Sequence, residues 1–193
     1  MLRLLRLGDL SSKYEVGTGG PGFVSSGKGD PGGISYGSYQ LASKPGTVEE
    51  FLKNTNYYNG ELAGMSINSQ RFIDKWRELG NTDATNFELA QWQFIKDTHY
   101  DPVREYADKL NILNNPAIDQ VLWSMSVQHG QAKQIVHDAL VSGEKDPKVV
   151  IHKLYAQRRK YIKNIGLSKT LIASLNNRYA NEENDAIALA SQV

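Results

Sequence analysis

The chain has 193 residues, no cysteine and a formal net charge of +1, with 40% hydrophobic and 22% charged residues. One domain over residues 1–193 with its own buried core is the expectation at that length. The charge balance offers no strong global attraction for nucleic acid or for a membrane surface, and the missing cysteines exclude disulfides and thiolate metal sites.

The opening MLRLLRLGDL breaks its leucines with Arg3, Arg6 and Asp9, so no apolar run of about 7–15 residues follows to make a secretory signal. No run approaches ~20 apolar residues, so no stable membrane insertion is expected. LGDLSSKYE reads as a short helix capped by Asp9 or Ser11, with Gly17 past its end and Glu15 on its last turn. Ten of the 17 glycines then fall between Gly17 and Gly46. Within that stretch FVSS and ISYGSYQL read as two strands flanking the turn GKGDPGG, a glycine-rich hairpin that carries Asp30. From Thr47 onward the pattern is helical. TVEEFLKNT has Thr47 as a cap, and NSQRFIDKWRELG places Phe72, Ile73, Trp76 and Leu79 at helical spacing before Gly80 stops it. Residues 86–110 form a helical stretch that Pro102 should kink or split. PAIDQVLWSMSVQHG starts on a proline and ends on a glycine, with Ile118, Val121, Leu122 and Met125 on one face. AKQIVHDALVSG follows, then residues 146–166 with Val150, Ile151, Leu154, Tyr155, Ile162 and Ile165 on one side, and a last helix capped by Ser168. The fold class read from this is mainly α, a helical domain with a small glycine-rich β-hairpin near its N-terminus.

A glutamate at a helix end, followed by a glycine-rich hairpin closing in GGISYGSYQ, resembles the lysozyme-like superfamily. Its lytic transglycosylases carry a catalytic Glu, then a Ser, then a Gly-x-x-Gln stretch, matched by Glu15, Ser25 or Ser26, and YGSYQ. Its chitosanases pair the helix-end glutamate with a hairpin aspartate, as DPGGISYG would with Asp30. The order KYE, SSGKGDPGGISYGSYQ, VQHG and RY…E…DA is most similar to phage endolysins and virion-associated wall hydrolases. The later motifs are Gln128-His129-Gly130 and Arg178-Tyr179 with Glu182 or Glu183 and Asp185. Transglycosylases follow the glutamate with Ser or Thr; here the residue is Val16.

The resemblance implies an α+β lysozyme-like fold and a glycosidase acting on bacterial peptidoglycan. Glycoside hydrolysis needs a protonated acid beside the leaving oxygen and a carboxylate near the anomeric carbon. Glu15, between Tyr14 and Val16, is the expected acid, and Asp30 on a polar turn the expected base. Ser25, Ser26, Tyr36, Gln40, Gln128 and His129 are the expected substrate contacts. Plainer readings stand beside these: Asp30 as a turn former, Tyr36 and Gln40 as hairpin packing, His129 as a structural histidine, the tryptophans as core and QRRKY (157–161) as a solvated face. Alternatives are a transglycosylase using Glu15 alone, a chitosanase, or a non-catalytic wall-binding or phage structural module. Expected partners are peptidoglycan glycan strands, met by a monomer, with no nucleic acid, cofactor or metal. The four histidines show no HExxH pairing. Release from a host cytoplasm through a holin-type pore, or carriage in a phage particle, is the expected route to the wall.

Overall fold

A computed structural model of the chain describes residues 6–14, 19–29, 32–54 and 59–192. They fall into two compact units, one of residues 16–97 and one combining residues 1–15 with 98–193. The architecture is mainly helical, with a two-stranded antiparallel sheet.

In the unit of residues 16–97 the strands β1 (Ser35–Tyr36) and β2 (Leu41–Ala42) pair with Ser35 opposite Ala42 and Tyr36 opposite Leu41. The expected hairpin is therefore redrawn. FVSS contributes only a single bridge, Val24 to Tyr36, and ISYGSYQL is folded back on itself rather than running as one strand. The cause is local: Gly37 and Gln40 both take left-handed backbone, at φ 72° and 51°, and the Gln40 amide donates to the Gly37 carbonyl at 3.2 Å. The helices are α2 (Thr47–Asn54), α3 (Asn59–Leu62), α4 (Gln70–Thr82) and α5 (Ala84–Ile95). Ser69 caps α4, accepting from the Phe72 amide. Gly80 does not stop α4, which runs on to Thr82. A Cβ at Gly80 would collide with the Gly22 backbone, so the glycine serves close approach of two chain segments. Thr47 is the first residue of α2, not its cap, and Leu89 is half exposed. The core is aromatic. Tyr36, Phe51, Phe72, Trp76 and Phe87 are fully buried, with Trp76 edge-on to Phe87 at 4.8 Å and to Tyr36 at 5.2 Å.

The other unit begins with α1 (Asp9–Ser12), which has Gly8 before it and no side-chain cap. Asp9 instead accepts from the Arg6 amide at 2.9 Å. After a π-helical turn, Lys96–Tyr100, α6 (Asp101–Lys109) starts with Pro102 in its first turn, so the proline splits the expected long helix where its missing N–H costs least. Then follow α7 (Pro116–Gln128), α8 (Ala132–Leu140), α9 (Pro147–Asn164) and α10 (Lys169–Ala190). Asn115, Asp146 and Ser168 cap α7, α9 and α10 through their side chains. α7 is buried on nearly every side, from Ala117 to Ser126, and makes the axis of the unit. Trp123 lies in this core; Trp92, in the first unit, is half buried. Ile165, expected on the buried side of α9, lies past the helix end and is 44% exposed.

Candidate functional site

Glu15 and Asp30 lie outside the described residues. Of the residues read as substrate contacts, four fall in the unit of residues 16–97. Ser25 is half buried; its hydroxyl oxygen accepts from the Ser35 amide at 2.8 Å and the Gly27 amide at 3.3 Å. Ser26 is exposed and accepts from the Lys28 amide at 3.4 Å. Tyr36 has no exposed surface, and its hydroxyl donates to Asn68 at 3.0 Å, so it is a core residue. Gln40 is exposed at the turn. The turn is held from below by Gln91, buried on α5, which accepts from the Ser38 amide and donates to the Pro21 carbonyl, each at 3.0 Å.

Gln128 and His129 come together in the other unit, at the end of α7, and there the structure builds its densest polar cluster. Its centre is Arg158 of α9 and Glu182 of α10, both with side chains wholly out of solvent. Arg158 Nη1 meets Glu182 Oε2 at 3.3 Å, while Nη2 donates to Gln128 Oε1 at 2.6 Å and to Ser124 Oγ at 3.1 Å. Glu182 also accepts from Ser124 and from the Tyr155 hydroxyl, at 3.2 and 3.1 Å, and from Arg178 Nη2 at 3.2 Å. The Arg158 guanidinium lies over Tyr179 at 4.2 Å and Tyr155 at 4.9 Å. The Tyr179 hydroxyl reaches Gln128 Oε1 at 2.9 Å and His129 Nε2 at 3.1 Å. It has one proton, so its donation to Gln128 leaves the Nε2–H of a neutral His129 to donate to the tyrosine oxygen.

The electrostatics follow from burial. Desolvation, reinforced by Arg158 and Arg178, pulls His129 down to about 3, so its ring is neutral at physiological pH. Burial pushes the Tyr155 hydroxyl far above its ordinary range, and raises Tyr179 against the opposing pull of Arg158. Both oxygens of Glu182 are engaged by donors. The cluster therefore has a neutral imidazole, a fully bonded carboxylate and phenols that keep their protons. What it does is tie α7, α9 and α10 together. A second pair closes its outer edge: Glu183 accepts from His152 Nδ1 and Arg159 Nη2, each at 2.7 Å. The N-terminal segment is tied to the same helices. Buried Gln120 of α7 accepts from the Gly8 and Leu10 amides and donates to the Arg6 carbonyl at 2.7 Å. Asp185 of α10 accepts from Lys13 and the Tyr14 hydroxyl at 3.0 and 2.9 Å. His129 also walls a cleft of about 440 Å³ with Thr98, Pro102, Val103, Ser126 and Lys133. Among the described residues no group of three histidines or carboxylates could hold a metal.

Arg158 is the functional residue that QRRKY, read as a solvated face, hides. The signal was in the spacing: Arg158 stands four after Leu154 and four before Ile162, on the apolar stripe of α9. Glu182 and Glu183 likewise stand three and four after Tyr179 on α10.

The chain is a member of the family described as type VI secretion system spike protein VgrG3-like, C-terminal, which it matches over residues 7–183. It is 34% identical over 137 residues to the type VI secretion system spike protein VgrG3 of Vibrio cholerae serotype O1, a match that covers 69% of this chain and 13% of that protein. These findings overturn the assignment to phage endolysins and the lysozyme-like hydrolases. With it go the peptidoglycan glycosidase activity, its transglycosylase and chitosanase variants, and the picture of a free monomer whose partner is glycan. The residues behind that reading are present in the sequence, but the chain's family is one described as a spike protein. The mainly helical class with its small sheet stands.

Proposed function

We propose that this chain is a module carried by a type VI secretion spike and exported with it. The observation that carries the reading is the match to the spike family over residues 7–183, nearly the whole described chain. The structure is consistent in one respect. Residues 8–14, where the family match begins, are held to α7 and α10 through Gln120 and Asp185, so the fold is closed at the end where the matched region starts.

The test is secretion. The chain, tagged within its native polypeptide, is followed in the culture medium of cells with an intact type VI system and of cells whose system is inactivated. Appearance in the medium only with the intact system supports the reading. Equal amounts from both strains, or retention in both, refutes it. Replacing Gln120 by Ala, which loosens the segment that closes the fold, serves as the check that export follows the folded module and not the tag.

A further inference from the structure

Charge is distributed very unevenly along this nearly neutral chain. Residues 147–181 contain eight Lys and Arg and no Asp or Glu; the rest carries fourteen cations against all 21 carboxylates, a net of −7. Four of the eight are accounted for inside the fold: Arg158 and Arg178 on Glu182, Arg159 on Glu183 and Lys153 on Glu144. Lys148, Lys160, Lys163 and Lys169 are exposed and have no ion pair among the described residues. Three of these, Lys160, Lys163 and Lys169, flank the short connection from α9 to α10. The connection and the first turn of α10 expose two aliphatic side chains, Ile165 at 44% and Leu171 at 45%.

Helix dipoles do not explain the arrangement. Lysines in the last turns of α9 complement its C-terminus, but Lys169 is the first residue of α10, where a cation is disfavoured. A short link between two packed helices is a projecting end, not a groove. A projecting cationic end with two exposed aliphatics suits a flat anionic surface whose interior accepts hydrocarbon. A nucleic acid would use the lysines but has no place for Ile165 and Leu171. We propose that the α9–α10 tip, through Lys160, Lys163, Lys169, Ile165 and Leu171, docks peripherally on anionic phospholipid membranes.

The full chain is mixed with vesicles of phosphatidylcholine alone, and with vesicles in which a third of the lipid is phosphatidylglycerol, and bound protein is measured by sedimentation. Binding is expected on the anionic vesicles only, and lost in high salt as the screening length contracts. Each lysine near such a surface is worth about fivefold in partitioning, so changing Lys160, Lys163 and Lys169 together to Gln should weaken binding about a hundredfold. Ile165→Ser with Leu171→Ser, which leaves the charge untouched, should weaken it about tenfold. Lys133→Gln, an exposed lysine on α8, should change nothing. All these side chains are exposed, and unchanged helical circular dichroism checks the fold. The proposal is overturned if anionic vesicles do not retain the chain, if the triple lysine variant binds like the parent, or if the aliphatic variant does. It is also overturned if duplex RNA or polyglutamate retains the chain as strongly as the anionic vesicles.

Discussion

Removing Glu182 should cost far more than removing it together with Arg158. Glu182→Leu leaves Arg158, with no exposed surface, holding a charge that has lost its carboxylate. Arg178 loses its contacts with Glu182, and the Ser124 and Tyr155 hydroxyls lose their acceptor. Breaking a buried pair from one side typically costs about 3–5 kcal/mol, and the uncompensated Arg158 charge with the stranded Ser124 and Tyr155 hydroxyls places this variant near the upper figure. Arg158→Met should fall near the lower one, about 3 kcal/mol, because Arg178 at 3.2 Å still faces the carboxylate. In the double variant no charge is stranded. Its cost should be about 3 kcal/mol, from unmatched Gln128, Ser124 and Tyr155. The coupling between the two sites is then about 5 kcal/mol, a large fraction of the ~5–15 kcal/mol that holds a domain of this size. Urea unfolding followed by helical circular dichroism on the four proteins of the cycle measures it. Singles that add within about 0.5 kcal/mol, or a Glu182→Leu cost below about 1 kcal/mol, would refute the argument that the pair is the keystone of the three helices.

His129 is held near 3 in the folded chain but titrates near 6.5 when unfolded, so between those values the unfolded state binds the extra proton and stability falls as pH falls. Acidifying from pH 7 to pH 5 should cost about 2 kcal/mol at this site, read as the difference in pH dependence between the parent and His129→Gln; parallel curves would refute it. Gly37→Ala places a Cβ against the Gln91 amide at a left-handed φ of 72° and should cost about 2–4 kcal/mol, seen as a lower melting temperature. An unchanged melting temperature would mean that Gln91 can release Ser38 and Pro21 freely. Gln120→Ala strands two amides and a carbonyl of residues 6–10 and should cost about 2–3 kcal/mol, with faster proteolytic cleavage near Leu10 as its mark.

The helices were legible because their stop and start residues act locally. Asn115, Asp146 and Ser168 cap where the sequence placed helix starts, and Pro102 lies in the first turn of α6, just after the π-helical turn that interrupts the expected helix. The hairpin was misdrawn because two left-handed residues inside ISYGSYQL decide its path, and a non-glycine such as Gln40 gives no composition signal for positive φ. Gly80 misled for the opposite reason. Its role depends on Gly22, 58 positions away, which no local rule contains. The site is legible only in outline: Gln128, His129, Tyr179 and Glu182 stand out as motif, but the arginine that joins them sits in a charge run that reads as solvated.

That arginine bears on how runs of charge should be read. Arg158, Arg159 and Lys160 are consecutive, and turning about 100° per residue sends them to three different environments. Arg158 points along the apolar stripe and is buried against Glu182; Arg159 lies at the helix flank on Glu183; Lys160 faces water unpaired. A buried guanidinium persists here because three helices deliver its partners: Ser124 and Gln128 from α7, the Tyr155 face from its own helix, and Glu182 from α10. The absence of carboxylates from residues 147–181 then has a structural meaning. With no local acid to pair with, Arg158 can be neutralised only across the helix interface, so its charge is satisfied when α9 and α10 are packed and not before. Lys160 and Lys163, two and five residues on, meet the same shortage of acids but face outward, where water solvates them.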